Sequence, residues 1–359
     1  MIRIGVDGHV LTGKFQGTRT TLSSMLRKVA PLLGERELVV YSDDPKEAAG
    51  LLARPQFAYR DLGGAGSIKR LFALFPKLFR RDRIDVGVFQ YIAPFSGRHI
   101  VFIHDILPLT HPHLFPFKVR LRTRLFYTLS IRRAALVAVV SDYTRQQVRQ
   151  KFGVPAARLQ TVLNGPSFER EVYFAEKTPP DERYIMTVGR IEPRKNTALL
   201  AEAFRKSGVE GVKLKIVGSF DPEFERGKVE GDNVEILTGL DDDALVALYR
   251  GAALFVYPSE AEGFGLPLLD AVLFGLPVIS SNRTSLPEVG GSLATYFDPT
   301  APDAADILAL LIQAHFGEEP IVRPTLEQRQ AHAEQFDWSR SARQFLDAVD
   351  AVVAGTAER

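Results

Sequence analysis

Short apolar runs alternate along the whole chain with longer segments whose apolar positions recur every three or four residues. Short apolar runs are typical of strands buried on both faces, and the longer segments are typical of amphipathic helices. This alternation predicts parallel β-α-β units throughout the chain. The strand candidates are residues 2–6, 38–42, 86–89, 100–103, 135–140, 161–163, 184–188, 214–217, 234–237, 254–257, 277–280 and 295–297.

The alternation and the chain length together predict two α/β domains, residues 1–175 and 176–359. Each is expected to hold a doubly wound, Rossmann-like parallel sheet, with the two domains facing a cleft. In such sheets, ligands bind beyond the carboxyl ends of the strands. A proline-containing segment at 176–181 is expected to be the linker.

The charged residues divide in the same way. Residues 1–175 contain 27 Lys and Arg against 13 Asp and Glu, a net charge of +14. Residues 176–359 contain 18 against 30, a net charge of −12, so the whole chain carries only +2. Such asymmetry indicates two domains with different partners.

The remaining composition excludes several classes of protein. The 359 residues are 45% hydrophobic and 25% charged, which is typical of a soluble protein with ample core. The absence of cysteine excludes disulfides, a thiolate nucleophile and a Cys-ligated metal. The first residues are typical of a strand rather than a signal peptide, and no window approaches the length of a membrane-spanning helix. We therefore expect a cytoplasmic protein.

The most informative segment is 257–271. It starts at the end of a strand candidate, continues as a loop containing Glu262, Gly263 and Gly265, and enters a helix at Leu266. The first amides of a helix are unpaired and its dipole favours negative charge, so this turn is suited to bind a phosphate. Two carboxylates, Glu262 and Asp270, flank it and can accept hydrogen bonds from hydroxyl groups. Phosphate and polyol together are what a nucleotide-sugar presents.

From Glu262 to Asp270 the segment resembles the Glu-x7-Glu signature of the retaining glycosyltransferases of family 4, which have the GT-B fold. The resemblance implies that Glu262 contacts the donor sugar and that Asp270 contacts the ribose hydroxyls. It also implies donor contacts from the turn residues Gly263, Phe264, Gly265 and Leu266. The family usually has glutamate where this chain has Asp270, whose side chain is one methylene shorter.

A basic loop follows the strand candidate at 184–188 and contains Arg190 and Lys195. Two cations at the ligand edge of an otherwise acidic domain are suited to neutralise a departing diphosphate. The loop is similar to the arginine–lysine clamp that binds the donor diphosphate in family 4.

In the first domain, His104 and Asp105 follow the strand candidate at 100–103. They resemble the His-Asp pair of the polysaccharide-assembly branch of the family, in which the histidine lies near the reacting sugar. Asp105 is interpreted as an acceptor contact or as the group that orients the imidazole. Gly17 and Thr18 belong to a segment, 12–19, that is similar to the family's glycine loop near the donor phosphate and acceptor.

Two basic segments, 68–81 and 115–126, mix aromatic residues with Lys and Arg. Such segments bind anionic lipid surfaces or nucleic acid, and they also occur as ordinary solvated helix faces. The resemblance to sugar transferases favours an anionic membrane over nucleic acid. We therefore expect attachment to the inner face of the cell membrane. The run Asp241-Asp242-Asp243 is interpreted as the charged start of a helix rather than a metal site.

The sequence thus predicts a metal-independent retaining glycosyltransferase that needs no cofactor, with catalytic residues His104, Arg190, Lys195 and Glu262. The motifs look most like those of bacterial mannosyltransferases of surface polysaccharide or lipopolysaccharide assembly, which implies GDP-mannose as donor and a glycan or lipid-linked acceptor. The alternatives are a UDP- or dTDP-sugar donor, a sugar-nucleotide epimerase, and a non-catalytic lipid- or nucleic-acid-binding protein. The last helix, near 339–354, is expected to pack back on the first domain.

Overall fold

The computed structural model describes residues 1–12, 17–175 and 182–355. The chain forms two compact units: unit 1 comprises Met1–Gly165 and Phe336–Arg359, and unit 2 comprises Pro166–Gln335. The sequence placed the division at 175/176, and the linker it predicted at 176–181 lies outside the described residues. Unit 1 holds 29 Lys and Arg against 15 Asp and Glu, and unit 2 holds 16 against 28, so their net charges are +14 and −12.

Unit 1 contains a seven-stranded sheet in the order β3-β2-β1-β4-β5-β6-β7. All neighbouring strands are parallel. The strands are β1 Arg3–Asp7, β2 Glu37–Ser42, β3 Ala58–Asp61, β4 Val86–Gln90, β5 His99–Ile103, β6 Leu136–Val139 and β7 Leu159–Thr161. The helices are α1 Gly17–Val29, α2 Pro45–Leu52, α3 Ser67–Lys69, α4 Phe75–Arg81, α5 Leu107–Thr110, α6 Phe117–Arg133 and α7 Asp142–Phe152. A π-helical turn, Arg70–Leu74, joins α3 to α4.

Unit 2 contains a six-stranded parallel sheet in the order β10-β9-β8-β11-β12-β13. Its strands are β8 Arg183–Val188, β9 Val212–Val217, β10 Val234–Leu237, β11 Leu254–Tyr257, β12 Val278–Ser281 and β13 Thr295–Phe297. Its helices are α8 Arg170–Phe174, α9 Thr197–Ser207, α10 Asp242–Gly251, α11 Leu266–Leu273, α12 Leu286–Gly290, α13 Ala304–Phe316 and α14 Leu326–Gln335. The last helix of the chain, α15 Trp338–Val353, belongs to unit 1.

The predicted fold class, two doubly wound parallel sheets, is confirmed. One strand, β3, was not predicted, because it lies at the edge of its sheet and is half-exposed or exposed at every position. Its sequence, Ala-Tyr-Arg-Asp, therefore lacks the apolar run that marks a strand buried on both faces. The central strands β4, β5 and β6 are buried throughout and were all predicted.

Both sheets reverse their strand order at one place. In unit 1 the reversal lies between β1 and β4, and in unit 2 it lies between β8 and β11. The loops after these strands leave in opposite directions, which opens a crevice at the carboxyl edge of the sheet. Each unit therefore has one position at which its topology favours a ligand.

Helix α15 packs against α1 in unit 1. Its first residue, Trp338, lies so close to the backbone of Gly165 that a Cβ there would meet ring atoms at 2.6–2.7 Å. The hydroxyl of Ser341 donates to the carbonyl oxygen of Leu163 at 2.5 Å. Near the other end of the helix, Arg36 donates to Asp350.

We expect Gly165→Ala to lower the stability of unit 1, because the added methyl group has no room beside the indole of Trp338. Overpacking of this kind costs about 1–3 kcal/mol. Gly50→Ala in α2 is the matched control, since nothing lies within 4 Å of its Cβ position and alanine favours helix. Calorimetric unfolding should show a lower Tm for the first variant and an unchanged or higher Tm for the second. Equal Tm values would contradict the assigned contact.

Candidate functional site

The loops after β8 and β11 come together at the switch point of unit 2. The backbone amide of Glu260 donates to the carbonyl oxygen of Arg194 at 2.9 Å, and the guanidinium of Arg194 donates to the carbonyl oxygen of Ala261 at 2.6 Å. The side-chain amide of Asn196 donates to the carbonyl oxygen of Pro258 at 3.2 Å. The basic loop and the glycine loop predicted from sequence are thus one structure.

Glu262 lies at the centre of this structure and is 7% exposed. Its Oε1 accepts hydrogen bonds from Lys195 Nζ at 2.5 Å, Ser259 Oγ at 2.6 Å and Tyr257 OH at 3.1 Å. Its Oε2 lies 3.0 Å from Nη1 of Arg194. The carboxylate therefore fixes two cations from the neighbouring loop.

Burial alone would raise the pKa of Glu262, but the nearby charges of Arg194 and Lys195 outweigh that effect and hold the pKa at about 2. Glu262 is therefore ionised at every pH at which the protein is expected to work. Lys195 Nζ also donates to Tyr257 OH at 2.8 Å, so the structure shows two of its three donors in use.

Arg190 and Lys195 occupy different positions. The side chain of Lys195 is 12% exposed and lies beside Glu262, whereas the side chain of Arg190 is 51% exposed and forms an ion pair with Asp221 at 2.8 Å. Arg194 takes the inner position, although sequence reasoning did not select it. The signal was present, since Arg194 belongs to the same basic loop, but its inward orientation depends on the 3-10 turn Pro193–Lys195 and on Asn196, which has a φ of 51°.

The predicted anion-binding turn is present before α11. Gly265 occupies the N-cap with a φ of 107°, and a Cβ there would lie 2.6 Å from a methyl carbon of Leu286. Proline lies in the first turn, and no side chain caps the helix. Gly263 is half-buried and Leu266 is half-buried at the helix start, whereas the Phe264 side chain is 5% exposed and packs inward. Phe264 therefore contributes backbone rather than its ring.

A second close approach connects the ends of β8 and β9. Gly218 has a φ of 153°, and a Cβ at this residue would lie 1.9 Å from the carbonyl oxygen of Gly189. Only glycine fits here, so the backbone after β8 is held tightly at the point where the basic loop starts. Sequence reasoning did not select Gly218.

Two hydroxyl groups from the loop after β12 support the glycine loop. The Oγ of Ser285 donates to the carbonyl oxygens of Glu262 and Phe264 at 3.1 and 2.9 Å. The backbone amide of Glu262 donates to Oγ1 of Thr284 at 3.0 Å. These contacts were also missed, because isolated Ser and Thr residues carry no pattern in the sequence.

Asp270 lies on α11 and is 3% exposed. Its Oδ1 accepts hydrogen bonds from the amide of Ser167 at 2.9 Å and from Tyr173 OH at 2.5 Å. Burial raises the pKa of this carboxyl group to about 6, although these hydrogen bonds act in the opposite direction. The ribose contact that the family resemblance implied stays a prediction.

In unit 1, His104 follows β5 and is 7% exposed. Its Nε2 lies 2.6 Å from Oε1 of Gln90 at the end of β4, so Nε2 carries the proton in this arrangement. Burial lowers the pKa of His104 to about 4, which keeps the imidazole neutral near pH 7. Among the described residues, the structure shows no hydrogen bond to Nδ1, which is left as an acceptor.

Asp105 connects to Thr18 through Tyr91. Tyr91 OH donates to Oδ2 of Asp105 at 3.0 Å. Burial raises the pKa of Tyr91 well above its usual value, and a hydrogen bond with the side chain of Thr18 acts in the opposite direction. Gly17 is the exposed first residue of α1. Residues 13–16 of the predicted glycine loop lie outside the described residues. Tyr91 was not selected from sequence.

The acidic run 241–243 starts α10 as expected, and Asp241 Oδ1 accepts a hydrogen bond from the amide of Ala244 at 2.8 Å. Within residues 1–12, 17–175 and 182–355, no group of three or more His, Asp or Glu side chains is arranged to hold a metal ion. In those same ranges, no helix has the length and apolar character needed to cross a membrane.

The two basic segments differ from the expectation of simple surface helices. Arg70 is 7% exposed and lies 3.5 Å from Asp7, and Phe75 is completely buried in the core. Phe72 stacks on Phe95 at a centroid distance of 4.4 Å. Arg70 and Phe75, which belong to the basic segment 68–81, are therefore not available for the expected contact with a lipid surface.

Comparison with known proteins places this site in context. A model of Glycosyltransferase Family 4 matches residues 17–170, and a model of Glycosyl transferases group 1 matches residues 169–315. O-antigen chain mannosyltransferase B of Escherichia coli is 31% identical over 296 residues, which cover 75% of this chain and 74% of that protein. The serotype-specific mannosyltransferase WbdA of Escherichia coli is 30% identical over 275 residues, covering 68% of this chain but only 32% of WbdA.

Among solved structures, HepE of Anabaena in complex with UDP and glucose has a TM-score of 0.74 at 19% identity, covering 98% of this chain and 100% of that chain. This likeness shows a shared fold. Together, two doubly wound units, the family models and a relative matched over three quarters of both chains lead to one conclusion. The chain belongs to glycosyltransferase family 4 and has the GT-B fold.

Proposed function

We propose that this protein is a retaining mannosyltransferase that uses GDP-mannose and acts on a glycan or lipid-linked acceptor in the assembly of a surface polysaccharide. The observation that carries the proposal is the ion-paired cluster of the buried Glu262 with Lys195 and Arg194 at the switch point of unit 2. The names of the relatives from Escherichia coli, which are mannosyltransferases, support mannose as the transferred sugar.

The leaving diphosphate is proposed to be stabilised by Lys195, Arg190 and the first amides of α11. Lys195 is held by Glu262 and Tyr257 and retains a third N–H donor. Arg190 lies at the exposed edge of the same loop, where an incoming phosphate can replace Asp221. Negative charge grows on the diphosphate as the bond to the sugar breaks, so these donors contribute most in the transition state. We propose that these cations do this work without a metal ion.

Glu262 is proposed to act in two ways. Its carboxylate fixes Lys195 and Arg194, which makes it a positioning residue for the diphosphate site. Its contact with the donor sugar, implied by the family resemblance, is the second role. His104 is neutral and presents Nδ1 as an acceptor for a sugar hydroxyl. In a retaining reaction the C1–O bond to phosphate breaks and the bond from the acceptor oxygen forms on the same face of the ring.

The alternative donor is a UDP- or dTDP-sugar, and the structural likeness to HepE, a protein solved with UDP and glucose, favours UDP among these. Asp270 is proposed to hold the ribose hydroxyls, which GDP and UDP share, whereas the deoxyribose of dTDP lacks the 2′-hydroxyl. A contact with the sugar of the nucleoside does not identify the nucleotide base, so the choice among GDP-, UDP- and dTDP-sugars is tested by direct comparison of these donors.

We expect the full chain to transfer mannose from GDP-mannose faster than it transfers sugar from UDP-glucose or dTDP-glucose, with an α-linked product identified by NMR.

Arg190→Gln should lower kcat about 100-fold, because the exposed guanidinium supports the transition state and not the fold. Lys195→Met should lower kcat at least as strongly. Without any acceptor, nucleotide binding can be followed separately by the rise in Tm that a bound ligand causes.

Arg205→Gln is the matched control, since Arg205 is also an exposed arginine of unit 2 and lies on α9. It should keep the wild-type kcat. Near-normal turnover by the Arg190 and Lys195 variants would contradict the diphosphate clamp. A β-linked product would contradict retention, and preference for UDP-glucose would replace the proposed donor.

Asp270 should make stability depend on pH. Its folded pKa of about 6 lies above the value of 3.8 for an unperturbed aspartate, so its contribution is fully present below the unfolded pKa and is lost as the pH rises through about 6. Asp270→Asn keeps an acceptor for Ser167 and Tyr173 but cannot ionise. The unfolding free energy of wild type relative to this variant should fall by about 2 kcal/mol between pH 4 and pH 7. Parallel stability curves for the two proteins would contradict a buried, titrating Asp270.

We further propose that α6 attaches unit 1 to an anionic membrane surface. Phe117, Leu121 and Leu125 are 68%, 57% and 55% exposed and recur every four residues, so they form one apolar stripe on the helix. Exposed cations, Lys118 and Arg124, lie on the same helix. Each cation near an anionic surface contributes about 1 kcal/mol to binding.

Vesicles containing anionic lipid should therefore bind the protein, and neutral vesicles should bind it less. The double variant Lys118→Gln with Arg124→Gln should weaken binding about tenfold or more, and added salt should weaken it further. The matched control removes two exposed cations from α7, with Arg149→Gln and Lys151→Gln. Equal losses in both double variants would indicate a response to net charge alone, and no loss in either would contradict docking through α6.

A further inference from the structure

Unit 1 contains a cavity of about 640 Å³ at the carboxyl edge of its sheet. It is formed by His9 after β1, by Gln90 and Tyr91 at the end of β4, by α3 with the π-helical turn, and by α6. Strands β1 and β4 are the pair between which the sheet reverses its order. The cavity therefore occupies the position at which this topology favours a ligand.

The cavity lining contains three cationic side chains, Lys69, Arg70 and Arg122, and no acidic one among the described residues. His9 also lines the cavity, and its Nδ1 lies 2.9 Å from the Asp7 carboxylate, which pairs with Arg70 as well. Arg70 is 7% exposed, its Nε lies 3.5 Å from Asp7, and the structure gives this Nε no hydrogen-bond partner. The Nε atom faces the Asp7 carboxylate and is not accessible from the cavity, although Arg70 as a residue contributes to the cavity lining. A buried guanidinium is stabilised when acceptors surround it, and an anionic ligand in the cavity would supply further acceptors.

The walls of the cavity are mainly apolar and aromatic. Phe72, Phe126, Tyr91 and Tyr127 line it, Phe72 stacks with Phe126 at a centroid distance of 6.4 Å, and Tyr91 stacks with Tyr127 at 5.6 Å. Aromatic faces suit a sugar ring or a hydrocarbon chain and give an inorganic ion little to contact. The lining thus fits an anion attached to a larger, partly apolar body.

The backbone around the cavity is unusual at two points. Arg70 starts a π-helical turn, a rare conformation that often occurs at functional sites. Tyr91 has a φ of 63°, which costs energy for a bulky residue and is maintained only where the surroundings require it. Both distortions place a side chain on the cavity wall.

The cavity adjoins the residues predicted to hold the reacting sugar. Gln90 lines it and bonds to His104, and Tyr91 lines it and donates to Asp105. A ligand in the cavity therefore lies one side chain away from the acceptor side of the proposed reaction.

We propose that this cavity binds a phosphoryl group carried by the acceptor, with the phosphate between Arg70 and Arg122 and the attached ring or hydrocarbon against the aromatic walls. The assignment of the ligand as an acceptor rests on the proposed transferase function. The binding itself does not, and it can be measured without any donor. Arg70 and Arg122 are binding residues in this proposal and take no part in bond breaking.

Isothermal titration calorimetry of the full chain tests the proposal with two phosphate esters, glucose 1-phosphate and geranyl phosphate. Their neutral counterparts, glucose and geraniol, and inorganic phosphate serve as comparison ligands. At least one ester should bind about tenfold or more tightly than its neutral counterpart and than inorganic phosphate. Arg122→Gln should weaken that ester about tenfold, because a charge-assisted hydrogen bond is lost.

Arg132→Gln is the matched control, since Arg132 is an exposed arginine on the same helix and does not line the cavity. It should bind the ester within about twofold of wild type. Arg122 is exposed, so Arg122→Gln is expected to fold. Arg70 is buried, so binding by Arg70→Gln is compared with wild type only if the Tm of this variant is unchanged. Preference for geranyl phosphate indicates a lipid-linked phosphate, and preference for glucose 1-phosphate indicates a phosphorylated saccharide.

The proposal is overturned if neither ester exceeds inorganic phosphate, or if Arg122→Gln binds as tightly as wild type. Failure of the transferase function gives a different result, with ester binding intact but no turnover of any nucleotide-sugar. Normal turnover with an unchanged acceptor KM in Arg122→Gln would instead contradict acceptor binding in the cavity and leave the proposed transferase function intact.

Discussion

The arrangement of the candidate site in unit 2 depends on the negative charge of Glu262, which pairs with Arg194 and Lys195. A carboxylate with so little exposure stays ionised because Arg194 and Lys195 lie against it, and Glu262 in turn compensates the charge of Lys195 and, together with Glu192, that of Arg194. Removing one member of such a group leaves an uncompensated charge, which typically costs about 3–5 kcal/mol. The basic loop after β8 and the glycine loop after β11 therefore form one electrostatic unit. Tyr257 and Ser259 complete the hydrogen bonds of the carboxylate.

The elements that the sequence predicted well are those whose pattern depends on local burial. Apolar runs marked the central strands, and the turn at Gly265 was marked by its glycine and by the following proline. The edge strand β3 has no such run, because its side chains are half-exposed or exposed at every position. In these cases, the pattern of apolar residues in a segment reflects how far that segment is buried, so the element can be predicted from its own residues.

The elements that the sequence did not predict depend on backbone geometry that no periodic pattern records. Arg190, Arg194 and Lys195 share one short loop, and a 3-10 turn ending at Asn196 decides which cations point inward. The π-helical turn at Arg70–Leu74 interrupts the basic segment 68–81, and its composition alone did not indicate that Arg70 and Phe75 are buried. Ser285, Thr284 and Tyr173 contribute through single hydrogen bonds across long sequence separations, which are visible only in three dimensions.

The contact of Trp338 with Gly165 has a further consequence for the architecture of the chain. Gly165 is the last residue of unit 1 before the chain passes into unit 2, and Trp338 is the third residue after it returns. The two crossing points are thus clamped side by side, and unit 2 is a single insertion whose ends meet at one place. Insertions with adjacent ends can be excised or recircularised with little change to the host. We therefore expect unit 1 to keep α15 in place when a short bridge replaces residues 166–335.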